Sequence, residues 1–325
     1  MNIIIKDYYK ELPEKFLERL KRLYSQKEFE EILASFKNKT LPTFRTNTLK
    51  ITTEELEKIL KAQSFIIEKI PWYKDAFILI NKSVRELTDT QEYKQGLIYI
   101  QNLSSMIPAL VLDPKPDEKI LDLCAAPGSK TTQIAALMKN QGEILANDLS
   151  RQRIYKLAAN LKMYSVTNAK TFNFPGQAIW KKFPEYFDKT LVDAPCSMEG
   201  RINFADPDTY KDWSLRKIKD LETKQKYLLR SAISATKVGG LIVYSTCTLA
   251  PEENEGVIDW VLKKEGDAIT IQKITIPQLS FQAGLTYWNK ELNPVLDNTA
   301  RIHPSTNMEG FFIAKITKVK PTVKF

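Results

Sequence analysis

After Gly96 the chain alternates between helix and strand patterns, and that alternation leaves few folds open. A helix is expected over residues 104–112, ended by Asp113-Pro114-Lys115-Pro116. Strands are expected at 119–124, 143–147, 169–174, 189–192 and 241–245. Helices are expected between them, at 130–138, 151–163 and 214–236, and one follows at 252–264. Residues 269–274 and 311–317 offer closing strands. A pattern of this kind predicts a Rossmann-like sheet, mostly parallel, with helices on both faces and an antiparallel edge strand.

Upstream the pattern differs. Residues 8–38 carry apolar side chains at helical spacing: Phe16, Leu17, Leu20, Leu23, then Phe29, Ile32 and Leu33. Pro42 interrupts it. Residues 53–60 read as a helix capped by Thr52 or Thr53. Strands are expected at 64–70 and 76–80, around a Pro71-Trp72-Tyr73 turn. The expected division is a small helical and α+β module over residues 1–95 and an α/β domain over 96–325.

Charge and rare residues narrow the function. Lys and Arg total 48 against 39 Asp and Glu, a net charge of +9. That excess favours a polyanionic partner, nucleic acid first. Three cysteines cannot build a disulfide framework, and the odd count suits a reducing compartment. With no CxxC pair and one histidine, His303, no metal site is expected. A Ser-His-Asp triad would need His303, which stands in a Pro-flanked loop without a nucleophile motif. The N-terminus lacks a signal-peptide apolar stretch, and no apolar run is long enough to span a membrane. The expectation is a cytoplasmic monomer.

The strand at 119–124 runs into Cys124-Ala125-Ala126-Pro127-Gly128-Ser129-Lys130-Thr131. Small residues here let backbone approach a ligand. A Rossmann fingerprint needs GxGxxG, and Gly128 stands alone; a Walker A loop needs Gly-Lys adjacent, and Ser129 intervenes. A nucleotide-like ligand without a pyrophosphate remains, which suits S-adenosylmethionine. Asp148 ends the second strand, where a carboxylate can accept from ribose hydroxyls; it can equally serve as a turn residue ahead of Arg151.

Two further turns carry thiols: Asp193-Ala194-Pro195-Cys196 and Ser245-Thr246-Cys247-Thr248. Both follow apolar β-rich runs, so neighbouring strands would bring Cys196 and Cys247 to one pocket. Methylation of pyrimidine carbon 5 calls for such groups. A thiolate adds to carbon 6, a donor near nitrogen 3 takes up charge, and a base removes the carbon-5 proton. Two thiols with Asp193 and Lys130 supply the parts. Each thiol can also be a small buried hydrophobe.

The residues that carry a family resemblance are Arg45 to Lys50, Tyr99 to Met106, Cys124 to Thr131, Asp193 to Ser197, Ser245 to Glu255, and Glu309 to Ala314. In these motifs the chain resembles the Nop/Sun family of RNA 5-methylcytosine methyltransferases, the RsmB/NOP type, from about Leu41 to Lys264 and again near Gly310. The resemblance implies a class I methyltransferase sheet and a preceding RNA-recognition-like domain. It implies an enzyme that moves a methyl group from S-adenosyl-L-methionine to cytosine carbon 5 in tRNA or rRNA. Cys247 would be the nucleophile, Cys196 would assist release, Asp193 would bond the cytosine edge, and Lys130 would order Asp193. Cofactor contacts would come from Cys124, Ala125, Ala126, Pro127, Gly128, Ser129, Lys130, Asp148, Arg153 and Asp193. For Cys124 packing is the favoured role, since the family often has another small residue there.

Two positions depart from the family pattern. Pro175 stands where an acidic residue usually contacts the adenine, so either the adenine amino group loses an acceptor or Asn173 substitutes, and cofactor affinity is the quantity affected. Met198 stands where Gly is common. For RNA, Arg45, Lys50, Trp72, Tyr73 and Lys74 are candidate contacts, with Trp72 and Tyr73 equally suited to an interdomain seam. The basic residues Arg216, Lys217, Lys219, Lys224, Lys226 and Arg230 of the long helix are candidates too, against the plainer reading of a solvated face. A paired cytosine is out of reach, so the target is single-stranded or flipped. The alternative to an enzyme is an RNA-binding or ribosome-assembly factor on the same fold.

Overall fold

The computed structural model describes residues 12–37 and 40–322. Expectations for residues 1–11 and 38 lie outside the described residues. The chain opens with helices α1 (Glu14–Leu23) and α2 (Gln26–Lys37). Their apolar faces do not cover the small sheet. Phe16, Leu20, Phe29, Ile32, Leu33 and Phe36 pack against Ile202, Tyr210 and Leu249 of the large domain.

The small sheet holds β1 (Thr43–Thr46), β2 (Ile67–Ile70), β3 (Tyr73–Leu79) and β4 (Ile98–Ile100) in the order β2-β3-β1-β4, antiparallel throughout. The strand β4 lies beyond the expected division at residue 95. Helix α3 (Thr53–Ala62) starts at Thr52, whose hydroxyl accepts from the Glu55 N–H while the Glu55 carboxylate accepts from the Thr52 N–H. Such a box contributes about 1 kcal/mol. The short helices α4 (Val84–Asp89) and α5 (Gln91–Lys94) lead into β4.

The large domain holds α6 (Leu103–Leu112), β5 (Lys119–Asp122), α7 (Ser129–Leu137), β6 (Glu143–Asn147), α8 (Arg151–Met163), β7 (Ala169–Phe172), β8 (Phe187–Asp193), α9 (Leu215–Ala235), β9 (Thr236–Thr246), α10 (Glu255–Glu265), β10 (Ile269–Gln272), β11 (Gln282–Ala283), β12 (Ala300–Ile302) and β13 (Phe311–Lys318). The order is β11-β12-β13-β9-β8-β5-β6-β7, with β10 also paired to β13. Strands β5 to β9 are parallel to one another, and β13 runs antiparallel to β9. The expected parallel sheet and antiparallel edge are both observed, but the antiparallel edge holds four strands, β10 to β13, so the sheet is mixed rather than mostly parallel.

Period-two alternation gives the sheet two buried faces. Leu121, Val192, Ile242, Tyr244 and Phe312 turn toward α9 and α10. Ile120, Leu191, Val243 and Ile313 turn toward α6 and α7. Because β5 is flanked by both β6 and β8, the strand order reverses beside it, and a ligand cleft is expected beyond the carboxyl ends there.

One expected helix boundary is corrected. The helix expected from Glu252 starts at Glu255, because residues 252–254 turn their side chains to tertiary partners and Asn254 has φ −105° and ψ −101°. β11 and β12 lacked a readable strand pattern at lengths of two and three residues.

Candidate active site

Strands β8 and β9 are neighbours, with Asp193 opposite Ser245. The turns that follow them therefore face each other. Cys196 Sγ lies 3.2 Å from Cys247 Sγ, within hydrogen-bond reach. A disulfide would need about 2.05 Å, and all three cysteines are free thiols. The hydrogen bond to Cys247, together with burial, pushes the Cys196 thiol well above its ordinary value. The two thiols share this one hydrogen bond, in which either sulfur can be the donor.

Asp193 is held on both oxygens. Lys130 Nζ donates to Oδ2 at 2.7 Å and Ser245 Oγ donates to Oδ1 at 2.8 Å. Lys130 also donates to Ser105 Oγ at 2.8 Å and is buried, while Asp193 keeps partial exposure. The lysine thus orders Asp193 from below and leaves its outer edge open.

Both thiols line a cavity of about 550 Å³ together with Leu123, Cys124, Ala126, Asp148, Arg153 and Asp193. Asp148 is held on both oxygens. Its Oδ1 accepts from Ser150 N and its Oδ2 from Ala126 N, with Arg153 Nη1 at 3.1 Å. Arg153 also donates to the Ala126 carbonyl. Cys124 lines the wall, and burial raises its thiol far above the ordinary value. It is a neutral packing group.

The other loop residues shape the wall from behind. Ala125 gives its N–H to the Asn147 carbonyl, and the exposed Pro127 carbonyl accepts from Asn160. Gly128 has φ +111°, and a Cβ there would meet Leu157 Cδ1 at 2.9 Å. That position requires glycine. The Ser129 carbonyl accepts from Arg45. None of these four lines the cavity.

Of the two alternatives at the third strand's turn, the substitute acceptor is not favoured by the position of Asn173. Asn173 is exposed, and its amide nitrogen donates to the Asp148 and Leu149 carbonyls, tying two loops together. Gln177, in the turn after Pro175, lines the cavity. Lys224 of α9 lines it as well. Sequence reasoning missed Gln177 because nothing in a lone Gln after Pro-Gly marks it. Met198 lines this cavity and also an adjoining one, at φ +62°.

Several candidate RNA contacts have structural work instead. Arg45 is 1% exposed; it donates to Gln101 Oε1, to the Ser129 carbonyl and to Thr132 Oγ1, and lies 4.7 Å over the Tyr99 ring. Lys50 donates to the Gln95 and Met163 carbonyls. Tyr73 is buried, and Trp72 packs against residues of both domains, so the seam reading holds for this pair. Lys74 is exposed. On α9, Lys226 pairs with Glu222 and Arg230 with Glu265, while Arg216 and Lys219 are exposed. His303 sits edge-on to Tyr24, and burial pushes it down to about 4. It is neutral at pH 7 and lines a separate surface cavity. Among the described residues no group of three His, Cys, Asp or Glu side chains is placed to hold a metal ion, and no helix is long and apolar enough to cross a membrane.

Residues 109–317 match the family model described as 16S rRNA methyltransferase RsmB/F, and residues 12–103 match the N-terminal domain of 16S rRNA methyltransferase RsmF. The chain is 40% identical over 316 residues to the tRNA (cytosine(49)-C(5))-methyltransferase of Pyrococcus abyssi, covering 96% of this chain and 98% of that protein. It is 37% identical to the Ribosomal RNA small subunit methyltransferase F of Vibrio campbellii, covering 95% of this chain and 63% of that protein. A crystal structure of a methyltransferase homolog protein from Pyrococcus horikoshii superposes with TM-score 0.78 at 36% identity, over 94% of this chain and all of that one. The chain belongs to the Nop/Sun (RsmB/F) family of RNA 5-methylcytosine methyltransferases.

Proposed function

We propose that this protein transfers a methyl group from S-adenosylmethionine to carbon 5 of a cytosine in tRNA or rRNA, through a covalent adduct between Cys247 and carbon 6. The observation that carries the reading is the 3.2 Å contact of two thiols on one cavity wall, with Asp193 beside them. The residues present fit the cofactor. The cavity is lined by two carboxylates, Asp148 and Asp193, and by the apolar residues Leu123, Ala126, Leu149 and Leu228. That donor set suits a ribose diol, an ammonium group and an adenine face. S-Adenosylmethionine, when bound, supplies the electrophilic methyl group that carbon 5 takes up.

The chain's own groups do the rest. Cys247 Sγ forms a bond to carbon 6, and the carbon 5–carbon 6 electron pair moves toward carbon 5. Asp193 bonds the cytosine edge, and nitrogen 3 gains a proton supplied through the Lys130–Asp193 pair. After methylation the carbon-5 proton leaves and the carbon 6–sulfur bond breaks. Cys196 gives its proton to the departing sulfur, the thiolate so formed takes the carbon-5 proton, nitrogen 3 returns its proton to the Lys130–Asp193 pair, and Cys247 loses one proton to solvent before the next attack, which closes the cycle.

The Vibrio and Pyrococcus relatives are named for rRNA and tRNA targets respectively. Bisulfite sequencing of total RNA with and without this gene tests the function. Loss of methylation at a defined cytosine on deletion, restored by the purified protein with S-adenosylmethionine, is the expected result. An unchanged cytosine map with no transfer in vitro would end the reading.

A further inference from the structure

The segment Glu252-Glu253-Asn254-Glu255 precedes and opens α10, and each of its four side chains reaches a different part of the molecule. The middle two reach the thiol turns. Glu253 Oε2 accepts from the Ser197 N–H at 3.0 Å and from Gln225 Nε2 at 2.7 Å. Gln225 Nε2 also donates to the Pro195 carbonyl at 2.8 Å. Pro195 and Ser197 flank Cys196, so one Glu–Gln pair holds its backbone on both sides.

Asn254 does the same for the other thiol. Its Oδ1 accepts from Thr246 Oγ1 at 2.5 Å, and its Nδ2 donates to the Thr248 carbonyl at 3.0 Å. Thr246 and Thr248 flank Cys247. The dipeptide is itself fixed from behind, because Tyr244 Oη donates to the Glu253 carbonyl at 2.6 Å and Arg19 pairs with Glu252. Glu253, Asn254 and Gln225 are all buried. The arrangement is costly. Glu253 Oε1 and Gln225 Oε1 have no partner within the described structure, and burial pushes the Glu253 carboxyl up to about 7. A buried group held at such cost needs a purpose beyond packing.

We propose that Glu253 and Asn254 are positioning residues that set the spacing of the two thiols, Glu253 with Gln225 holding the Cys196 turn and Asn254 holding the Cys247 turn. The inference rests on the methyltransferase reading above. Because the two residues act on different thiols, their loss is expected to affect different steps. Glu253→Ala loosens Cys196 and slows release. Asn254→Ala loosens Cys247 and slows addition. A displacement near 1 Å in either turn lowers turnover on the order of 100-fold.

The test measures covalent protein–RNA adduct on ordinary cytosine RNA, turnover, and S-adenosylmethionine affinity by calorimetry. Glu253→Ala is expected to raise the standing adduct while lowering kcat, and Asn254→Ala to lower both. Cofactor affinity stays within about twofold of the parent, since neither residue lines that cavity. Glu253→Gln keeps an acceptor for Ser197 and is expected to restore most of the turnover. Equal adduct levels in the two alanine variants, or Glu253→Gln as impaired as Glu253→Ala, overturn the positioning role. A parent protein that neither binds the cofactor nor forms adduct counts against the methyltransferase reading instead.

Discussion

At the residue scale the proposed mechanism gives the two thiols different tasks. Cys196 holds its proton because it is buried and bonded to Cys247. A substitution there leaves the proposed nucleophile in place and removes the group proposed to assist its departure. Cys196→Ala is therefore expected to accumulate covalent adduct on unmodified RNA, readable as a shifted band on a denaturing gel. Absence of such a band under turnover conditions contradicts the release role.

A second residue-scale expectation concerns Asp122, under the site at the end of β5. Burial raises its carboxyl to about 7, against its hydrogen bond from Thr131 and with Asp193 nearby. An unfolded aspartate titrates near 3.9. Between roughly pH 4 and 7 the native state therefore binds more protons than the unfolded one, and stability falls as pH rises. Urea midpoints should drop from pH 5 to pH 8, and Asp122→Asn should flatten that slope. Parallel slopes in the parent and the variant contradict the assignment.

At the element scale, α10 is anchored by a buried pair. Arg301 of β12 makes two 2.6 Å bonds to Glu255 and donates to the Leu249 carbonyl. Removing one partner leaves a buried charge uncompensated, at about 3–5 kcal/mol. Glu255→Ala should lose stability of that order in denaturant titration, whereas a loss under 1 kcal/mol contradicts the anchoring account. Such anchors also explain what could be read in advance. Leu241 to Ser245 and Lys189 to Val192 were legible as strands because they are apolar and β-rich. The start of α10 was not, because the Glu-rich segment resembles a first helical turn while its side chains serve distant partners. β12 is short and polar at Arg301, so only its tertiary pairing defines it.

At the scale of the whole molecule, the sequence indicated a parallel sheet with thiols beyond two strand ends, and the neighbouring of β8 and β9 brings those thiols together. Surface roles were harder to read. Arg45 looked like a phosphate contact, yet it is the buried strut between the small sheet and α7. Charge in a sequence does not say which way a side chain points. Arg45→Ala is expected to cost about 3 kcal/mol or more, from its charged hydrogen bonds. The slope of RNA affinity against salt should not change, since no phosphate contact is lost. A shallower slope would return Arg45 to the RNA surface.

The central claim is that sulfur 247 attacks the base. RNA carrying 5-azacytidine at the target position traps an adduct, because nitrogen at position 5 blocks the final elimination. The account predicts a stable crosslink mapped by peptide mass spectrometry to Cys247, present in Cys196→Ala and absent in Cys247→Ala. A crosslink that persists in Cys247→Ala, or maps to Cys196, would contradict it.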